Sequence, residues 1–143
     1  MIKPKYFLIA GGAISALISI LHVILAIQPA LYRHISAGQE SALAQMAEQG
    51  SRPTTVATVV LALIFAIWAV YAFSGAGLIH PLPWLRAALI AIGVIYILRA
   101  LFIPAELNMV LNQGYPVQFV VFSTISLVAG LLYLIGIFKQ RAL

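Results

Sequence analysis

Residues Tyr6 to Ile27 read YFLIAGGAISALISILHVILAI, a run of 22 residues without a formal charge. As an α-helix this run reaches about 33 Å, enough to cross a hydrocarbon core of roughly 30 Å. Lys3 and Lys5 ahead of it raise the alternative of a secretory signal peptide. Such a peptide has an apolar core of only about 7–15 residues, followed by a small-x-small cleavage site. Here the run is longer and leads into Gln28, Pro29 and Tyr32-Arg33-His34. The segment reads as a retained membrane span.

Working outward, the same pattern recurs three times. A second apolar stretch, about 54–73, follows Ser51-Arg52-Pro53, with proline suited to a first helical turn and Ser74-Gly75-Ala76-Gly77 as a flexible stop. A third, about 84–103, follows Pro81-Leu82-Pro83 and is expected to break at Pro104. A fourth, about 117–138, opens after Tyr115-Pro116 and ends before Lys139 and Arg141. Tyr32, Trp84 and Tyr115 fall near predicted ends, where amphipathic rings favour the headgroup layer. The expectation is a single all-α domain of residues 1–143, an integral membrane four-helix bundle.

Composition agrees. Of 143 residues, 64% are apolar and only 8% charged, against about 25% charged in an ordinary soluble domain. The chain lacks cysteine, which removes disulfides, thiol chemistry and Cys-zinc sites. Basic residues in short flanks set orientation. With the N-terminus inside, Lys3, Lys5, Arg86, Lys139 and Arg141 lie on the cytoplasmic side, against Arg33 and Arg52 outside. Both termini are therefore expected to be cytoplasmic, in a bacterial inner membrane. This topology also accounts for the net charge of +5, and no basic run with interleaved aromatics points to nucleic acid. The longest connection, 28–53, lies outside, and 39–49 within it reads as a short amphipathic helix stopped by Gly50, capping the bundle.

Ionisable groups inside spans are costly and invite a functional hypothesis. His22 and Arg99 stand at similar helical heights, about 25 and 22 Å above the inner edge. Gly11, Ser15, Ser19 and His22 form one stripe on the first helix, so the histidine is expected to face the bundle. Arg99 has Tyr96 one turn below it and Glu106 seven residues on, placed to neutralise the guanidinium if the helix continues past Pro104 with a kink. Snorkelling to headgroup phosphates is the competing account of the arginine. Gln118 and Asn112 complete a polar set at the outer side. The Ser123-Thr124-Ile125-Ser126 run reads as interhelical bonding or bonding back to helix carbonyls.

Missing residue types exclude several functions. The first span lacks the carboxylate that small proton-coupled multidrug exporters use, and the chain contains no aspartate for an aspartyl membrane peptidase. The carboxylates are Glu40, Glu48 and Glu106, and His22 beside Ser19 has no acidic orienter, so no catalytic residue is assigned. No metal or cofactor is expected. The working expectation is a non-enzymatic membrane protein that binds a lipid-like or hydrophobic ligand, or serves as an accessory subunit of a larger complex. Candidate ligand or partner residues are His22, Arg99, Glu106, Ser19, Tyr96 and Gln118. Membrane lipids, a homo-oligomer or a larger membrane complex are the expected partners. An oligomeric transporter or channel, and a haem-binding electron carrier through His22, are the alternatives.

Overall fold

The computed structural model describes residues 3–31, 49, 52–115 and 117–140. It is all-helical: α1 spans Pro4–Ile27, α2 Arg52–Gly75, α3 Leu85–Ala100, α4 Ile103–Gln113 and α5 Gln118–Lys139. A single 3₁₀ turn, Pro29–Leu31, follows α1. Among the described residues, four stretches are long and apolar enough to cross a membrane, the third being Leu85–Gln113, which contains both α3 and α4. The expected amphipathic helix at 39–49 lies outside the described residues.

Two helix ends differ in detail from the sequence expectation: the first stops where expected but is bonded rather than flexible, and the second breaks before Pro104. Ser74 to Gly77 is a bonded stop. Gly77, at φ +80°, takes the left-handed position beyond the helix. Its N–H reaches the Ser74 carbonyl at 3.0 Å, and the Leu78 N–H reaches the Phe73 carbonyl at 3.0 Å. This is the Schellman pairing that satisfies carbonyls at a helix end. Ser74 then ties down the loop: its hydroxyl donates to the His80 carbonyl at 2.9 Å and accepts from the Leu82 N–H at 3.1 Å. The second difference is at Pro104. It stands in the first turn of α4, where a missing N–H costs nothing, so it starts a helix. The break falls earlier, at Leu101-Phe102.

Around the bundle the neighbours run α1, α2, α3, α5 and back to α1, with α2 and α3 packing least closely. α4 packs chiefly on α5. The solvent logic of a water-soluble protein is inverted. Leu17, Ile27, Val56, Leu63, Leu98 and Phe138 point outward, while Ser15, Thr58 and Ser123 are fully enclosed. A bilayer accepts alkyl groups on the outside and lets hydroxyls and small residues draw helices together inside. The α3/α5 contact shows how close the backbones come. A Cβ added at Gly130 would lie 3.0 Å from the Gly93 carbonyl oxygen and 2.8 Å from Ile97.

At the lysine-bearing end, Arg86 donates to the carbonyls of Ile137 and Gln140, each at 3.3 Å, and lies over the Phe138 ring. A guanidinium there satisfies carbonyls that the last turn of α5 leaves without helical partners.

Candidate functional site

Three sets of polar groups join helices or line their seams in the spans. The first is a hydroxyl chain through the bundle centre. Tyr133 on α5 donates its only hydroxyl hydrogen to the Trp68 carbonyl of α2 at 3.1 Å. Its oxygen must therefore accept from Ser15 on α1, 2.8 Å away. Ser15, having used its own hydrogen, must accept from Tyr96 on α3, 2.7 Å away. One directed chain thus visits all four packed helices, with every hydroxyl donating once. Tyr96, Tyr133 and Ser15 are all buried, and burying them is tolerable because each has a partner. Rings extend the layer: Trp68 meets Tyr96 edge-on at 5.1 Å, and Tyr96 meets Tyr133 at 5.7 Å.

The second set lies along α1 and α2. Ser19 is buried and donates to the Ala62 carbonyl at 2.7 Å. His22 is half-buried; its Nδ1 lies 2.8 Å from the Ile18 carbonyl and therefore carries the hydrogen. Its ring stands 5.4 Å from Phe65, which in turn lies 6.2 Å from Tyr96. The stripe Gly11, Ser15, Ser19 faces inward as its spacing requires. His22 is the end of that stripe, at the α1/α2 seam.

The third set is the ionic one. Arg99, in the last turn of α3, donates from Nη1 to Oε1 of Glu106 at 2.8 Å and to the Ser123 hydroxyl at 2.6 Å. Ser123 in turn donates to Oε2 of Glu106. The three side chains close a ring that joins α3, α4 and α5. Both hydrogens of Nη1 are used. The remaining N–H groups, on Nη2 and Nε, have no acceptor among the described residues, and the arginine side chain is 40% exposed against 11% for the glutamate. A guanidinium carries five donors in a fixed fork, so among the described residues this one keeps an open edge.

Beside the ring lies a small cleft between α4 and α5, about 230 Å³ and almost wholly apolar. Phe102, Ala105, Glu106 and Met109 supply one wall and Phe119 the other. The first four follow spacings of three, one and three, which is a single helical face. Toward one flank of that face α4 carries the exposed Asn108–Asn112 hydrogen bond. The cleft is smaller than the roughly 300–1,000 Å³ of ordinary small-molecule sites.

The structure therefore brings together Arg99 and Glu106 and adds Ser123 to them. Among the described residues, no hydrogen bond or ion pair joins either to His22 or Ser19, which bond within α1 and to α2. Tyr96 belongs to the hydroxyl chain, and Gln118 begins α5. Ser123 was hidden in its Ser-Thr-Ile-Ser run. Thr124 and Ser126 do bond back to the Val120 and Phe122 carbonyls, but Ser123 faces inward to the ion pair. Its position one helical turn of α5 inside the bundle, opposite the end of α3, was the signal, and reading it required the pairing of α3 with α5. No group of three or more metal-binding side chains occurs among the described residues. Comparison with protein families, curated proteins and solved structures finds no match.

Proposed function

We propose that this protein is a non-enzymatic inner-membrane protein that holds a lipid-like ligand at the cleft between α4 and α5. The observation that carries the reading is the open edge that Arg99 keeps among the described residues, beside a small apolar cleft. An alkyl chain laid against Phe102, Met109 and Phe119 exchanges lipid contacts for aromatic and thioether ones. The anionic head of the same molecule then meets the Arg99 guanidinium at the mouth of the cleft. Arginine is suited to phosphate because its planar fork matches two oxygens at once. In this reading both termini lie in the cytoplasm and the ligand site at the outer end, which the basic residues Lys3, Lys5, Arg86 and Lys139 at the terminal end support.

Photolabelling tests this. A phosphatidic acid with a diazirine in its acyl chain should label the peptide carrying Met109 and Phe119 in the wild type and lose that labelling in Arg99→Ala. Labelling spread evenly over outward residues such as Leu17 and Val56, and unchanged in the variant, would reject the site.

A further inference from the structure

α4 differs from every other helix of the bundle. It buries no residue, and it is bracketed by two turns: Leu101-Phe102 before it, and Gly114 at φ +70° after it. It packs chiefly on α5. The hydrogen bonds that tie its side chains to other helices, among the described residues, are those of Glu106 to Arg99 and Ser123. The cleft lies under its apolar face. A helix with little buried area and a single polar attachment sits at the low-stability end of a structure, where lids are found.

We infer that α4 is a lid latched over the cleft by Glu106, and that a phosphate-headed amphiphile releases it by taking Arg99 from the carboxylate. This inference rests on the ligand site proposed above and adds the headgroup class and the response. Glu106 holds Arg99 through one oxygen on one nitrogen. A phosphate that takes Nη1 together with Nη2 engages two guanidinium nitrogens, so it competes well against that single contact. Glu106 is thereby an internal competitor for the ligand's own partner. It selects for the stronger anion, and its release frees α4 to move away from α5 while the alkyl chain enters. Arg99 remains neutralised in both states, as a charge at this depth requires.

The competition fixes the sign of the test. With protein in dodecyl maltoside micelles, monododecyl phosphate is the probe, because the two differ in headgroup and share the chain. Glu106→Gln should bind the probe roughly tenfold more tightly than wild type, the exchange of about one favourable charge contact. In the wild type the probe should raise amide hydrogen exchange across 103–113 while leaving α1 and α5 protected. Should Glu106→Gln prove unstable, Ser123→Ala loosens the same latch and should bind about threefold more tightly. Binding that is unchanged or weaker in a folded Glu106→Gln, or exchange at 103–113 indifferent to the probe, overturns the lid. If Arg99→Ala loses binding while Glu106→Gln binds as wild type, the lid falls and the ligand site stands. If Arg99→Ala binds as wild type, the site falls and the lid with it.

Discussion

Nη1 of Arg99 lies 2.8 Å from Oε1 of Glu106 across the break between α3 and α4, and Ser123 of α5 bonds to both. A guanidinium near the top of a membrane helix is thus neutralised by a carboxylate only seven residues further along the chain. The break at Leu101-Phe102 turns α4 so that the carboxylate points back. The same contact fastens the outermost helix to the bundle.

Removing the carboxylate should cost stability. Glu106→Ala leaves Arg99 without its counter-charge, and the loss should be about 1–3 kcal/mol, at the low end for a buried pair because the arginine side chain is 40% exposed. Ser123→Ala removes a hydroxyl and leaves the ion pair, so about 1 kcal/mol is expected. Denaturant unfolding in mild detergent measures both; equal effects would show that the serine, not the charge, carries the joint.

The direction of the hydroxyl chain gives an ordering. Tyr133→Phe removes a donor to the Trp68 carbonyl and an acceptor for Ser15. Tyr96→Phe removes only the donor at the head of the chain. Interhelical hydrogen bonds in bilayers are worth on the order of 1 kcal/mol. Tyr96→Phe should therefore cost about 1 kcal/mol and Tyr133→Phe about twice that. Thermal unfolding of the two variants checks the order, and a larger loss at Tyr96 would reverse the assigned direction.

Two glycines should fail for different reasons. Gly130→Ala places a methyl 3.0 Å from the Gly93 carbonyl and 2.8 Å from Ile97, so α3 and α5 must separate; overpacking of this kind costs about 1–3 kcal/mol. At Gly77 nothing lies within 4 Å, yet φ is +80°, so Gly77→Ala meets open space and unfavourable backbone. About 1–2 kcal/mol is expected there from the left-handed conformation alone. Unfolding midpoints distinguish the two, since Gly130→Ala should also loosen α3 against α5 in hydrogen exchange and Gly77→Ala should not.

Much of the bundle is legible in the chain. Tyr6 to Ile27 is too long and too apolar for another reading, and the Gly11, Ser15, Ser19 spacing states which face turns inward. The pairing of Arg99 with Glu106 is nearly legible too, because seven residues bring two helical side chains to one side. Three features are not legible. That Pro104 begins a helix and leaves the break at Leu101 is not decided by its type, since proline suits a first helical turn and also kinks a helix interior. Ser123 cannot be told from Thr124 or Ser126 by composition, since all three hydroxyls can bond to their own helix. His22 and Arg99 share a height along their helices, but height says nothing of azimuth. The fold sets one against Phe65 and the other against Glu106.

Hydrophobic length and glycine-serine periodicity, both local properties of the chain, by themselves determined that oily helices would form and which stripe of the first would be enclosed. The tertiary structure alone decided which hydroxyls meet. A directed bond from Tyr96 through Ser15 and Tyr133 to the Trp68 carbonyl joins groups as far as 118 residues apart. Such a bond depends on the rotation of each helix about its axis. That rotation is set by the close approach of Gly93 to Gly130 and by the mutual fit of all four helices, quantities that no single stretch of sequence contains.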